Sequence, residues 1–270
     1  MENFDKLVKI VEKLRSPEGC EWDKSLDLKA VKSYFLEEAY EVYEAIINED
    51  HDELQEELGD LLFEIVLIAE LEAEQGLFNL EDTIDIINNK MIRRHPHVFT
   101  EDKTKDVNKI LNNWEKIKNE EKKHRKSYLD GIPKILPTLI KANKIQEKAS
   151  RVGFDWSNIE DVIKKVKEEL SELEEELKKL NAENYQNSKI NDEMLKYDIE
   201  SEIGDLLFSV VNLARKLNID SDEALTKTID TFYERFNYIE KKLQKANKSI
   251  HNSSLEEMDK LWDESKSDAI

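Results

Sequence analysis

Apolar residues recur every three or four positions over most of this chain, which is the spacing that places side chains on one face of an α-helix. In the first half, such runs predict helices at about 2–14, 28–48, 51–75 and 80–94. Residues 16–19 (Ser-Pro-Glu-Gly) break the pattern, and residues 20–23 are predicted to follow as a loop. Pro96 ends the fourth helix because proline disfavours helical geometry in the residue before it.

Two of these helices carry broad apolar stripes that are predicted to face a core. On the earlier helix the stripe is Val31, Phe35, Leu36, Tyr40, Tyr43 and Ile47. On the later helix it is Leu54, Leu58, Leu61, Leu62, Ile65 and Ile68. Gly59 lies within the later helix, where its bare backbone is expected to let a partner helix or a ligand approach. With six Gly and four Pro in 270 residues, the predicted fold class is all-α.

The second half of the chain repeats the order of the first. Its apolar runs predict helices at about 160–180, 193–217 and 222–247. Near the C-terminus, Trp262 with Lys266 matches Trp114 with Lys118 in the first half. Residues 122–137 carry a basic run, a glycine and two prolines, which mark a boundary between domains at 1–125 and 126–270. We therefore predict a tandem duplication of a four-helix unit.

Carboxylates are concentrated on two successive helices of each half. The first set is Glu37, Glu38, Glu41, Glu57 and Asp60, and the second is Glu168, Glu169, Glu172, Glu202 and Asp205. Within each helix these side chains share one face and repel one another, and they are expected to lack a basic partner in both halves. No Lys or Arg lies between Lys32 and Lys90, against eighteen Asp and Glu. A solvated acidic surface would not be expected to repeat its register, whereas converging oxygen ligands suit Mg²⁺.

The two copies differ in the length of chain between their acidic motifs. Fifteen residues separate Glu41 from Glu57, but 29 separate Glu172 from Glu202. The surplus is rich in asparagine and is predicted to form an extended loop. The asparagines are Asn181, Asn184, Asn187 and Asn191.

A basic cluster follows the acidic segment. Lys90, Arg93 and Arg94 supply the charges and planar forks that phosphate oxygens need, although a basic helix end also complements the helix dipole. Trp22 and Trp114 could stack a nucleobase or simply belong to the core. Neither a P-loop nor a dinucleotide-binding glycine motif occurs, so a nucleotide would have to bind through the metal and these side chains.

Charge and cysteine content narrow the partners and the compartment. The formal net charge of −20 would repel nucleic acid and anionic membranes, so neither is expected as a partner. A small anion that carries its own metal is not excluded. The single cysteine, Cys20, cannot form an internal disulfide, and the N-terminus does not resemble a signal peptide. The expected location is the cytoplasm.

Taken in order, these motifs resemble the all-α nucleoside triphosphate pyrophosphohydrolases of the MazG family. Besides the Glu-Glu-x-x-Glu and Glu-x-x-Asp pairs, the matching stretches are 16–23 (Ser-Pro-Glu-Gly-Cys-Glu-Trp-Asp), 93–99 (Arg-Arg-His-Pro-His-Val-Phe), 152–156 (Val-Gly-Phe-Asp-Trp) and 204–208 (Gly-Asp-Leu-Leu-Phe). The resemblance covers about residues 4–266, and the complete ordered series is highly specific.

The resemblance implies Mg²⁺-dependent hydrolysis of a nucleoside triphosphate between the α and β phosphates, by a homodimer. Mn²⁺ is expected to substitute for Mg²⁺. The implied metal ligands are Glu38, Glu41, Glu57, Asp60, Glu169, Glu172, Glu202 and Asp205. Glu37 and Glu168 are candidates for the general base or a further metal ligand. The expected substrate-binding residues are Lys90, Arg93, Arg94, Trp114, Lys118, Arg235, Trp262 and Lys266.

Two other functions remain open at this point. One is a non-catalytic acidic helical module that binds a protein or buffers divalent ions. The other is all-α prenyl-diphosphate chemistry, although the Asp-Asp-x-x-Asp motif typical of it is missing. Within the favoured reading, Thr231 stands where Lys90 stands in the first copy. We therefore expect the first copy to contribute substantially to turnover, unless Lys227 compensates.

Overall fold

The computed structural model describes residues 2–100, 103–121, 127–180, 190 and 192–267. Every regular element in that part of the chain is a helix, as the all-α prediction requires. The chain divides into two compact units at residues 1–124 and 125–270, one residue from the predicted boundary. None of the helices described combines the length and apolar character needed to cross a bilayer.

In the described part of the first unit, five helices have 14 to 24 residues and two are shorter. In chain order they are α1 (Glu2–Arg15), α2 (Glu21–Ser25), α3 (Leu28–Ile47), α4 (His51–Glu74), α5 (Leu80–Arg94), α6 (Pro96–Phe99) and α7 (Val107–Glu120). Helix α3 packs along α4, and α1 packs on α4 and shares one core with both helices. Asp27 and Asp50 cap the N-termini of α3 and α4, and Gly76 follows α4 with a φ of +70°.

The second unit repeats this arrangement. Its helices are α8 (Thr138–Ser150), α9 (Ile159–Lys178), α10 (Glu193–Lys216), α11 (Ser221–Lys245), a 3₁₀ turn (Ile250–Asn252) and α12 (Leu255–Ser267). Helix α9 packs along α10 as α3 does along α4, and α8 packs on α10. The asparagine-rich loop predicted between α9 and α10 falls on residues 181–189 and 191, outside the described residues.

The core of the first unit contains fewer residues of the predicted apolar stripes than the sequence suggests. Its buried residues are Val11, Leu26, Val31, Val66, Leu67 and Leu71. Of the two predicted core stripes, only Val31 is fully buried, whereas Phe35, Leu36, Tyr40, Tyr43, Ile47, Leu58, Leu62 and Ile65 are exposed. The prediction was wrong for these residues because α1 covers only one side of the α3–α4 pair.

One local prediction needs correction, and for another the described chain provides no closely approaching helix. Residues 21–23 belong to helix α2 rather than to a loop, with Cys20 as the N-cap residue, because nothing after Gly19 breaks the turn. The Lys24 N–H donates to the Cys20 carbonyl, and the Lys24 ammonium pairs with Glu21 at 2.7 Å. At Gly59, an added Cβ would meet no atom within 4 Å. No described residue of the chain therefore uses the close approach that Gly59 permits.

Each unit also contains a clamp of opposite charges at the end of its first helix. In the first unit, Arg15 at the end of α1 binds both carboxylate oxygens of Glu74 on α4, at 2.7 and 2.8 Å. In the second unit the charges are reversed, because the acid Asp155 follows α8 and the bases Arg215 and Lys216 lie at the end of α10. The Lys216 ammonium lies 2.8 Å from Asp155.

Candidate functional site

Three carboxylates converge between α3 and α4 in the first unit. Glu38 and Glu41 lie one turn apart on α3, Glu57 lies on the facing side of α4, and one oxygen from each falls within 4.8 Å of the others. The close packing of the two helices holds the three side chains together, since each helix has its acidic residues on the face toward the other. Glu37 is exposed and lies outside this group.

Burial and the neighbouring carboxylates together raise the pKa of Glu38. Burial, and then the negative charges of Glu41, Asp60 and Glu57, raise the pKa of Glu38 from 4.5 to about 7. Asp60 is therefore close enough to act on Glu38, although it is not one of the three converging residues. Burial and the neighbouring Glu41 and Asp60 likewise raise the pKa of Glu57.

The second unit holds the equivalent group. Oxygens of Glu169 and Glu172 on α9 and of Glu202 on α10 lie within 4.8 Å of one another. Burial and the negative charge of Glu169 raise the pKa of Glu172, and burial and Asp205 raise that of Glu202. Thus the sequence repeat brings the same three positions together in both units.

A lysine that the sequence analysis missed distinguishes the second group from the first. The Lys165 ammonium lies 2.7 Å from Glu169 and 2.6 Å from Glu168. The expectation that the acidic motifs lack a basic partner in both halves was therefore wrong for the second. The sequence does contain a signal for this pairing, because Lys165 precedes Glu169 by four residues, which is one helical turn. The matching residue in the first unit is Tyr34.

The donor set fits a magnesium ion. Octahedral coordination at 2.0–2.1 Å places opposite ligands about 4.2 Å apart, so oxygens already within 4.8 Å need only small rotamer changes. All three donors are hard carboxylate oxygens, which Mg²⁺ and Mn²⁺ prefer over nitrogen or sulfur. A bound cation would also relieve the repulsion that raises the pKa of Glu38.

The predicted phosphate-binding arginines of the first unit are engaged by an acid. Glu121, just after α7, accepts hydrogen bonds from Arg93 and Arg94, with the Arg93 Nε at 2.7 Å. These bonds lower the pKa of Glu121 to about 2. Arg94 also stacks on Trp114, with its Cζ 5.3 Å from the ring centroid, and the Lys118 ammonium lies 4.4 Å from the same centroid.

In the structure, the arginines and the carboxylates form separate clusters in the first unit. Among the described residues, Lys90, Arg93 and Arg94 make no hydrogen bond or ion pair with the three converging carboxylates. A phosphate that contacts Arg94 would therefore have to compete with Glu121.

The second unit also contains an arginine stacked on a tryptophan. Arg235 stacks on Trp262 with its Cζ 5.4 Å from the ring centroid, and Phe232 packs against the same ring at 5.1 Å. Thr231 donates its hydroxyl hydrogen to the backbone carbonyl of Lys227. The Lys227 ammonium pairs with Glu223 at 2.6 Å, and Lys266 pairs with Asp263 at 2.7 Å. Compensation by Lys227 would require it to leave Glu223.

The ion pairs of Glu121 with Arg93 and Arg94 predict a loss of stability at low pH. Because its pKa is depressed from 4.5 to about 2, the ion pairs stabilise the first unit above pH 4.5 and are lost as the pH falls toward 2. Glu121→Gln should destabilise the protein by about 2 kcal/mol at pH 7. Thermal melts should show this difference shrinking at pH 3, and the exposed neighbour Glu120→Gln serves as the control. A stability difference between wild type and Glu121→Gln that does not change with pH would contradict this role of the ion pairs.

Several known proteins align along nearly the whole chain. The family model described as the MazG nucleotide pyrophosphohydrolase domain matches twice, at residues 27–99 and 157–239. The nucleoside triphosphate pyrophosphohydrolase/pyrophosphatase MazG of Thermotoga maritima is 42% identical over 264 residues, covering 97% of this chain and 95% of that protein.

Two further relatives agree with this alignment. The nucleoside triphosphate pyrophosphohydrolase of Escherichia coli is 39% identical over 273 residues, covering 100% of this chain and 99% of its own length. The uncharacterized protein YabN of Bacillus subtilis is 43% identical over 264 residues, which is 97% of this chain but 51% of YabN. Both matched regions contain the converging carboxylates found in the structure. The chain therefore belongs to the MazG family, with two copies of the MazG domain in tandem.

Proposed function

We propose that this protein is a Mg²⁺-dependent nucleoside triphosphate pyrophosphohydrolase that cleaves between the α and β phosphates, releasing a nucleoside monophosphate and pyrophosphate. The observation that carries the proposal is the convergence of three carboxylates at matching positions of both units. The names of the Thermotoga maritima and Escherichia coli relatives, which align over nearly their full lengths, support nucleoside triphosphate pyrophosphohydrolase activity.

The carboxylates would hold the metal. In the first unit the proposed ligands are Glu38, Glu41, Glu57 and Asp60, and in the second they are Glu169, Glu172, Glu202 and Asp205. When bound, Mg²⁺ supplies positive charge to the phosphates and acidifies a coordinated water. Glu37 and Glu168 flank the ligands by one residue and are the candidates for accepting the proton of the attacking water.

Basic side chains would bind the phosphates. Lys165 already lies against Glu168 and Glu169 of the second unit, so a cation that binds Glu169 would leave part of its ammonium available to a phosphate oxygen. This position would make up for the lysine missing at Thr231. Arg235 on Trp262, and Lys90, Arg93 and Arg94 in the first unit, are the other proposed phosphate ligands.

Product analysis tests the reaction directly. The purified protein would be incubated with each nucleoside triphosphate and Mg²⁺, and the products separated by anion exchange. Monophosphate and pyrophosphate in equal amounts would support the proposal. Diphosphate with inorganic phosphate would place cleavage at the other anhydride bond, and the absence of products would favour a non-catalytic acidic module.

Metal removal should lower the stability of the fold. Without a cation the carboxylates of each group repel one another, and a ligand bound by the native state alone stabilises it by mass action. We expect the melting temperature in excess Mg²⁺ to exceed that in EDTA by several degrees, with Mn²⁺ acting like Mg²⁺. Equal melting temperatures would argue against both metal sites.

We also propose that the protein is a homodimer, joined through the exposed apolar face of α3 and α4. This face includes Leu36, Tyr40, Leu58 and Leu62, an unusually large apolar area to leave in water. Leu62→Asp should therefore shift the mass measured by light scattering from dimer to monomer. Ile135→Asp is the control, because Ile135 is 93% exposed and isolated. A wild-type monomer would contradict the proposal.

A further inference from the structure

A cavity of about 650 Å³ lies in the second unit, directly beside the carboxylate group. Phe154, Trp156 and Phe208 provide apolar walls, while Lys165 and Glu169 line one edge. Its volume is in the range typical of small-molecule pockets, which combine apolar walls with a few polar groups. The polar edge is the same place at which the proposed function puts the metal and the phosphates.

Gln146 of α8 lines this cavity and carries an unsatisfied acceptor. The side chain is 6% exposed, and its Nε2 donates a hydrogen bond to the Phe208 carbonyl at 2.8 Å. This bond fixes the orientation of the amide, since a carbonyl can only accept. The Oε1 atom is buried and has no hydrogen-bond partner among the residues that the structure describes. Because a buried acceptor without a partner is costly, this atom indicates a ligand that carries a donor.

Comparison of the two copies shows that some residues lining the cavity stand at positions that belong to the hydrophobic core in the first unit. Residues 144–148 (Lys-Ile-Gln-Glu-Lys) align with residues 9–13 (Lys-Ile-Val-Glu-Lys), so Gln146 stands where the first unit has the fully buried Val11. Ala149, which also lines the cavity, stands where the first unit has the larger Leu14.

The other wall of the cavity has changed in the same direction. Counting from the shared acidic motifs, Lys165 corresponds to Tyr34 and Asn212 to Leu67. In the first unit, Leu67 is buried in the hydrophobic core and Tyr34 packs against it. The second copy thus has smaller and more polar side chains at positions that the first uses for packing.

We propose that this cavity binds the nucleobase of the triphosphate, and that Gln146 Oε1 accepts a hydrogen bond from an N–H group of the base. The inference rests on the proposed function and extends it. A nucleobase has flat apolar faces that suit Trp156 and Phe154, and an edge with amino or ring N–H donors that suits Gln146. With the base in the cavity, the phosphates would extend to Lys165 and the carboxylates at its edge.

Binding measurements on two variants test the assignment. Gln146→Met removes the acceptor at nearly constant size, and Ala149→Leu fills the cavity with the side chain found in the first unit. The probes are hydrolysis-resistant α,β-imido triphosphates of the four bases and inorganic tripolyphosphate, all with Mg²⁺. Both variants should bind the best nucleotide about tenfold more weakly than wild type and tripolyphosphate equally well. Gln244→Met, on the exposed side of α11, should change neither affinity.

The outcomes separate this inference from the proposed function. Unchanged nucleotide affinity in both variants, with intact tripolyphosphate binding, would overturn the base pocket while leaving hydrolysis standing. A wild-type protein that neither binds nor cleaves nucleotides would overturn both. Tripolyphosphate binding also reports whether a variant is folded, so a weak nucleotide complex cannot be mistaken for a misfolded protein.

Discussion

Glu38→Gln combined with Glu169→Gln should reduce pyrophosphate release to below about one hundredth of the wild-type rate while leaving both units folded. The amide keeps the size of the side chain but removes the charge that the proposed Mg²⁺ site needs, and loss of one partner from a buried charged contact typically costs about 3–5 kcal/mol. The measurement is the initial rate of pyrophosphate release in saturating Mg²⁺.

The first of these substitutions, Glu38→Gln alone, should not destabilise the protein when metal is removed, whereas Glu169→Gln also removes the ion pair with Lys165. Replacing Glu38 by an amide removes a carboxylate whose pKa is raised to about 7 by burial and by its acidic neighbours, so the melting temperature of the single variant in EDTA should not fall. Glu44→Gln with Glu175→Gln is the matched control, because these two residues occupy equivalent exposed positions on α3 and α9 outside the carboxylate groups. Full activity of the Glu38 and Glu169 double variant would eliminate the proposed chemistry.

Separate substitutions of the two sites should show which unit does most of the work. We expect Glu172→Gln to lose most of the activity and Glu41→Gln to lose much less. Sequence alone favours a substantial share for the first unit, because Thr231 replaces the lysine found at Lys90. The structure changes this expectation, since Lys165 brings an ammonium to the second group, whereas Glu121 occupies Arg93 and Arg94 in the first.

The expected difference in rate between the two sites can be estimated. A charge-assisted contact to phosphate is worth about 1.5–3 kcal/mol, so one additional contact makes the second site roughly ten- to a hundredfold faster. Steady-state kcat and KM of the two single variants decide the matter. If Glu41→Gln is the inactive variant and Glu172→Gln keeps full activity, the first unit is the catalytic one.

The helices and their order were predictable from sequence because their signals are local. Apolar periodicity, the capping residues Asp27 and Asp50, the glycine after α4 and Pro96 each act within a few residues of the helix end that they define. The carboxylate positions were also accessible, since a spacing of three or four residues is enough to put two side chains on one face.

Burial and pairing were less predictable because they depend on what lies opposite. The apolar stripes of α3 and α4 do not reveal which part α1 covers, so Leu58 and Leu62 were wrongly assigned to the core. Glu121 follows Arg94 by 27 residues, and no spacing rule connects them. Lys165 is different, because its spacing of one helical turn from Glu169 is visible in the sequence. Only the comparison with Tyr34, the residue at the same position of the first unit, shows that this lysine is a difference between the two copies.

The reversed clamps bear on how two similar copies fold within one chain. Chains with repeated domains can misfold by pairing an element of one copy with the partner element of the other. Here, α1 placed against α10 would bring Arg15 toward Arg215 and Lys216, and α8 placed against α4 would bring Asp155 toward Glu74. Like charges brought together in a specific interface cost several kcal/mol. The opposite polarity of the clamps therefore disfavours exchange of helices between the copies during folding.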